Sequence, residues 1–480
     1  MFDLIIKNGK VVTHTDVFEA EVAVKDGKIA AVGQNLGEAD RVIDAEGNYI
    51  MPGCIDPHNH VGNFLPYEAD LEGETRGALL GGNTMIMQCA LATGPMAKLS
   101  VMEVIEKMKE PMPRLAYCDM GFYPALMRQQ DIDQIPEMAE KGIHSFKFFM
   151  DYLDSYAATM DMEPGINIIS NGFQWAAYQK IKEVGGIAMF HAEDTETAEW
   201  IEKAHHNDPN TLKAYSDGRP EMIEEMDVFT SCRLAEEVGI PIYQVHSSAW
   251  KSVEIVEMFR KRGNKIFLET TPVYSILDYY GNDYRKGEAQ RKLNNPLQGK
   301  IKPPVRSPHS RDMMRRNVAN KCYDTLATDS ANSMLKDKMK DGNIWNITLD
   351  WSSAGLMLPL ALDNFYHEGL LTLPEIVRMT SYNTAKIHGY APRKGTLEPG
   401  ADADIIIVDV DKVKVLKAGK TAPSWSDWCL FEDWPVKGWP TTTILRGEVV
   451  MENDEVIGKP GYGQFIPSKA VWKGYKGPNG

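Results

Sequence analysis

The stretch FQWAAYQKIKEVGGIAMFHA, residues 173–192, decides the fold class. Its first half spaces apolar residues for one face of an amphipathic helix, and Gly185-Gly186 ends it. Its second half, GIAMFHA, is a short apolar run of the kind buried on both faces of a parallel strand. The same alternation recurs on both sides. TMIMQCA (84–90), HSFKFFM (144–150), IPIYQVH (240–246), KIFLET (265–270) and TLATDS (325–330) read as further buried strands. VMEVIEKMKE (101–110), FTSCRLAEEVG (229–239) and SVEIVEMFRKRG (252–263) read as helices between them. Repeated strand–helix units over residues 53–392 predict an α/β fold, a (β/α)8 barrel. A doubly wound open sheet is the alternative, but no Gly-x-Gly-x-x-Gly stands at a strand end.

Outside this region the texture changes. Residues 1–52 contain β runs broken by Asn-Gly, Asp-Gly and Glu-Gly, and Asn-Gly and Asp-Gly are strong hairpin signals. Strand-turn-strand patterns return in TLEPGADADIIIVDV (396–410) and TTILRGEVVMENDEVIG (442–458). Residues 1–52 and 393–458 are therefore expected to pair into one discontinuous β-sandwich domain, with the barrel inserted between them. Residues 459–480 form a C-terminal tail, rich in Gly, Pro, Tyr and Trp, that is expected to wrap over its own or a neighbouring subunit.

The 480 residues carry 67 Asp and Glu against 52 Lys and Arg, a net charge of −15. Such a chain repels phosphate backbones, and no basic run overrides this, so nucleic acid is not an expected partner. A hydrophobic share of 43% and a charged share of 25% exclude a disordered chain, a collagen and a disulfide scaffold. The six cysteines stand without CxxC pairs and read as buried free thiols of a reducing compartment. No cationic start precedes an apolar stretch, and no apolar run is long enough to span a bilayer. The expectation is a cytoplasmic protein without a membrane partner.

Chemistry concentrates where the predicted strands end. In IDPHNH (55–60), His58 and His60 are two apart and face one side of a strand. His191 and His246 each end a strand of their own, and Asp329 ends a third. In a barrel these ends share one rim, where active sites are built. Imidazoles and a carboxylate converging there suit zinc or a similar divalent ion. Lys147 lies inside the apolar HSFKFFM, where an ammonium is costly to bury. A neutral amine there could form a Schiff base, or take up carbon dioxide as a carbamate that bridges two cations.

The ordered set GNYIMPGCIDPHNH, GIHSFKFFM, FHAED, PIYQVHSS, ATDS and GTLEPGADADIIIVD resembles the landmarks of the amidohydrolase superfamily, most closely its dihydropyrimidinase and hydantoinase branch. The resemblance runs from about residue 2 to residue 465. It implies a hydrolase acting on carbon–nitrogen bonds of small cyclic amides, with two divalent metal ions, usually zinc. His58, His60 and Asp329 would hold one ion and His191 and His246 the other. Lys147 would be carboxylated and bridge both. A hydroxide bridging the metals would open a hydantoin or dihydropyrimidine type ring to an N-carbamoyl amino acid. Asp329 would carry the proton to the leaving nitrogen, and Tyr152 would donate to the oxyanion. By the same resemblance, Lys302 and Asn346 would flank the ring's amide edge, and Phe64 and Leu65 a substituent pocket. A homotetramer or homodimer is implied.

The chain departs from the branch at Ser330, where relatives commonly carry His, at Asp194, at Asp151 and across 347–358. Gly62 stands where a dihydroorotase carries Arg, which argues against that activity. Allantoinase is the alternative within the superfamily. Two readings of other classes are a non-enzymatic, dihydropyrimidinase-like scaffold of the same fold, which the full ligand set opposes, and a Schiff-base lyase using Lys147, which the neighbouring histidines oppose.

Overall fold

A computed structural model describes residues 1–150 and 170–478. Apolar alternation near the start builds β1 (Phe2–Val12), β2 (Val17–Lys25), β3 (Lys28–Gly33), β4 (Ala39–Asp44) and β5 (Tyr49–Pro52). Asp26 and Gly27 take φ of 52° and 72° and turn β2 into β3, as a type I′ hairpin requires. Asn8-Gly9, which carries the same hairpin signal, makes no hairpin. β1 runs through it and absorbs it as a register shift between Ile6 and Gly9.

Eight parallel strands follow: β6 (Cys54–Asn59), β7 (Asn83–Ala90), β8 (Asp119–Pro124), β9 (Ser145–Phe149), β10 (Ile187–His191), β11 (Ile242–Gln244), β12 (Ile266–Thr270) and β13 (Thr325–Leu326). They form a three-stranded sheet, β6-β7-β8, and a five-stranded sheet, β13-β12-β11-β10-β9. Every residue of β7, NTMIMQCA, is buried: Met85, Met87 and Cys89 pack with Tyr123, Met189 and Tyr243 of the other parallel strands, and Ile86 and Ala90 join the core that holds the helices. Among these helices are α1 (Tyr67–Leu80), α2 (Val101–Lys109), α3 (Asn171–Val184), α4 (Glu221–Val238), α5 (Ser252–Arg260) and α6 (Pro308–Ala319). The sequence reading omitted β8, whose Gly121 and terminal Pro124 weaken the strand pattern. It also started α4 eight residues late, because exposed Met222, Met226 and Phe229 blur the amphipathic period.

The chain then returns to the first sheet with β14 (Ile405–Val415), β15 (Pro435–Leu445), β16 (Glu448–Glu452) and β17 (Glu455–Val456). β14 pairs antiparallel with β5, so both ends of the sequence meet in one continuous nine-stranded sheet. An ion network joins this sheet to the parallel strands. The buried Lys394 ammonium donates to Asp119 at the start of β8 (2.6 Å) and to Asp404 beside β14 (2.7 Å).

The tail runs across the N-terminal ends of the parallel strands of its own chain. Ile466 donates to the Met120 carbonyl of β8, Ser468 to Gly142 before β9, and Trp472 to Gly185 before β10. Tyr475 accepts from the Lys265 amide just before β12. Gly239, before β11, has φ 75°, and a Cβ there would lie 2.1 Å from the Lys476 carbonyl oxygen. Among the described residues, no helix is long and apolar enough to cross a membrane. All six cysteines are free, five of them buried.

Candidate metal centre

The opposite, C-terminal ends of the parallel strands gather the titratable groups. His58 lies on β6, Lys147 on β9 and His191 at the end of β10, while His246 and Asp329 follow β11 and β13. His58, Lys147, His191 and His246 are buried, and His60 is nearly so at 8% exposure. Asp329 is half-buried, with its side chain 15% exposed. His246 and Asp329 both take positive φ, 36° and 55°, uncommon for residues with a Cβ.

Three atoms define the first subsite. Nε2 of His58 and Nε2 of His60 are 3.1 Å apart. Oδ1 of Asp329 lies 3.5 Å from the first and 3.3 Å from the second. Two ligands at about 2.1 Å from a tetrahedral ion stand roughly 3.4 Å apart, so these spacings fit one ion held by all three. In the second subsite Nδ1 of His191 faces Nε2 of His246 at 2.9 Å. The rings of His58 and His246 stack between the subsites, with centroids 5.2 Å apart.

Two glutamates fix which nitrogen each ring presents. Nδ1 of His58 is 2.9 Å from Oε1 of Glu269, and Nε2 of His191 is 2.9 Å from Oε2 of Glu193. A proton held at each of those positions leaves the other nitrogen bare and facing the cluster. Glu269 also accepts from the His246 backbone amide (2.8 Å) and from the Tyr243 hydroxyl (2.8 Å). One carboxylate thus serves both subsites. Burial pushes the Glu269 carboxyl up to about 8 and that of Glu193 up to about 7. Burial holds His58, His191 and His246 well below the ordinary imidazole value, aided by the nearby Lys147 charge. Neutral imidazoles are what a divalent ion requires.

Lys147 places Nζ 3.3 Å from Nε2 of His58 and is fully buried. Burial pushes its amine down to about 8. An uncharged amine is the nucleophilic form. His60 Nδ1 and His246 Nδ1 are buried without a hydrogen-bond partner. The donor set of imidazole nitrogens, a carboxylate and an adaptable amine fits divalent metal.

Other expected residues lie farther out. Phe64 and Leu65 are half-buried in the loop after His60. Lys302 is half-buried and joined by a cis peptide to Pro303; burial pushes its amine down to about 7. Its charge is felt at both His191 and Glu193. The Asn346 side chain is exposed and donates to Asp341 (2.7 Å), so it is not gathered with the cluster. Tyr152 lies outside the described residues. Asp194 accepts from the Thr197 amide (2.9 Å) and caps the following helix.

The sequence reading missed Glu269 and Glu193. Glu269 had the same signal as Lys147, an ionisable residue within an apolar strand, KIFLET. Glu193 follows His191 by two residues and so returns to the same side.

A model of the amidohydrolase family matches residues 49–450. The D-hydantoinase of Geobacillus stearothermophilus is 31% identical over 475 residues, 96% of each chain. The L-hydantoinase of Paenarthrobacter aurescens is 29% identical over 479 residues, 97% of this chain and 98% of its own. A solved D-hydantoinase structure superposes with a TM-score of 0.87 at 27% identity, covering 98% of this chain and 100% of the other. The chain belongs to the amidohydrolase family, in its hydantoinase branch.

Proposed function

We propose that this chain is a metal-dependent cyclic amide hydrolase that opens a hydantoin or dihydropyrimidine type ring to an N-carbamoyl amino acid. The observation that carries this reading is the convergence of His58, His60, His191, His246, Lys147 and Asp329 at one end of the parallel strands, with ring nitrogens oriented by Glu269 and Glu193. Hydantoinases among the relatives act on such rings, and they match over nearly the whole chain.

In this proposal the eight parallel strands close into a barrel. Bridges Asn59–Ser330 and Ala125–Lys147 join the two parallel sheets at both edges and support the closure. His58, His60 and Asp329 would hold one divalent ion, and His191 and His246 the other. Lys147 Nζ would add to carbon dioxide and lose a proton, and the resulting anionic carbamate would supply the remaining donors. The amine's lowered affinity for protons favours that step. The ions, when bound, supply a water of lowered pKa and a polarised ring carbonyl. Asp329 accepts the proton of the attacking water and returns it to the ring nitrogen as the carbon–nitrogen bond breaks. Its partial exposure leaves it open to substrate. Tyr152 donates to the developing oxyanion. Lys302, Phe64 and Leu65 line the approach, and Asn346 takes part through its backbone.

The test is ring opening, followed by NMR, on hydantoin, substituted hydantoins, dihydrouracil, allantoin and dihydroorotate, using protein with measured metal content and bicarbonate. Opening of a hydantoin or of dihydrouracil is expected. Allantoin alone would move the chain to the allantoinase reading. No opening by protein holding two metals per chain would overturn the proposal.

A further inference from the structure

Helix α1 carries two acidic side chains that the chemistry above does not use. Asp70 and Glu74 are one turn apart on one face and are 0% and 2% exposed. Burying neighbouring carboxylates is costly: burial raises the Glu74 carboxyl to about 8 and that of Asp70 to about 6.

Their partners come from the two loops that flank the first subsite and from Ser424 and Trp425. Asp70 accepts from the Gly62 amide (2.7 Å), two residues after His60. It also accepts from the Asn332 side chain (3.2 Å) and the Trp425 indole (3.0 Å). Glu74 accepts from the Ser330 hydroxyl (2.7 Å), the residue after Asp329, and from Ser424 (3.2 Å). Ser330 is bound on its other sides too. Its carbonyl accepts from the His60 amide (2.7 Å), its amide donates to Thr328 Oγ1 (3.1 Å), and its hydroxyl accepts from the Ser353 amide (3.2 Å).

Asp329 sits between these anchors with φ 55°. That conformation persists only where the surroundings over-determine it. Its carboxylate must still stand 3.3–3.5 Å from two imidazole nitrogens.

We infer that Asp70 and Glu74 are positioning residues: they clamp the loops after His60 and Asp329 to one helix face, and Glu74, through Ser330, sets where the Asp329 carboxylate stands against His58 and His60. Neither touches the metal or the substrate. The chain carries Ser at 330, so a short hydroxyl with one donated hydrogen bond makes this link. The inference rests on the reading that the first subsite holds a divalent ion.

The test uses the full chain loaded with Co2+ and compares Glu74→Ala, Ser330→Ala, the double variant and Glu74→Gln. The readouts are thermal unfolding, metal bound per chain, the visible spectrum of bound Co2+, and kcat and KM for ring opening. Glu74→Ala and Ser330→Ala should shift the Co2+ spectrum in the same direction. Each should lower kcat on the order of ten- to a hundredfold with KM little changed, as a small misplacement of a reacting group does. The double variant should be no worse than the poorer single one. Glu74→Gln, whose amide oxygen still accepts from Ser330, should recover most of both readouts. An unchanged spectrum and kcat in Glu74→Ala would overturn the inference, as would losses that multiply in the double variant. If Glu74→Ala does not fold, Ser330→Ala breaks the same link from the loop side, and an unshifted spectrum there has the same force. If the parent protein opens no ring, the Co2+ spectrum still tests the clamp, so the two readings fail separately.

Discussion

The two ends of the parallel strands are made by the same backbone and have opposite characters. At the C-terminal ends, imidazoles, an amine and carboxylates are buried against one another, two residues with side chains hold positive φ, and two imidazole nitrogens lack partners. At the N-terminal ends the tail supplies hydrogen bonds to Met120, Gly142 and Gly185 and accepts one at Tyr475, and the tightest turns are glycines. The positive φ values and bare ring nitrogens of the first end fall on the candidate ligands themselves; at the second end the unmet amide of Asn83 and the positive φ of Lys321 lie on residues with no part in the cluster. Side-chain chemistry on the first end should therefore cost activity, while changes on the second should cost only stability.

The sharpest break of that contrast is Lys147→Ala. It should lose most bound metal and lower ring opening on the order of 10³-fold or more, checked by metal analysis and steady-state rates; such losses are usual when one member of an interdependent catalytic set is removed. Retained metal and rate would sink the carbamate assignment. Glu269→Gln should follow, lowering metal affinity roughly 10- to 100-fold at both subsites, because Glu269 holds the His58 ring and the His246 amide together. Competition with a chelator measures this, and a loss confined to one subsite would break the link. At the other end, Lys394→Met leaves Asp404 buried without its cation and Asp119 with Arg446 alone, and should cost about 3–5 kcal/mol in denaturant unfolding. The rate per folded, metal-loaded chain should not change. The smallest effect is expected for Gly239→Ala, about 1–3 kcal/mol from a left-handed backbone and the Lys476 carbonyl in its way, again with an unchanged rate.

Legibility followed the same division. Buried strands such as TMIMQCA and GIAMFHA were readable because parallel strands are apolar on both faces, and the histidines were readable because each stops such a run. Asn8-Gly9 misled because a local turn signal was overridden by pairing of β1 with β2, β4 and β5. The union of the two terminal segments in one unit was expected from texture, but no local pattern specifies that β5 pairs with β14. Glu269, Glu193 and the Asp70–Glu74 clamp escaped notice because each acts through a partner distant in sequence; Ser330 and Glu74 are 256 positions apart. The departure at Ser330 was visible as an oddity, and only the fold supplied its partner.

The pairing of β5 with β14 also has a consequence in time. Met51 faces Ile406, some 350 residues later, so at synthesis rates of about 5–20 residues per second the β5 edge waits roughly 20–70 s for its partner. Through that interval YIMP, three of whose four residues are buried in the finished fold, presents an open strand edge to any chain nearby. Slower initiation and lower temperature during expression act on the crowding around that edge, and leave the stability of the finished protein untouched.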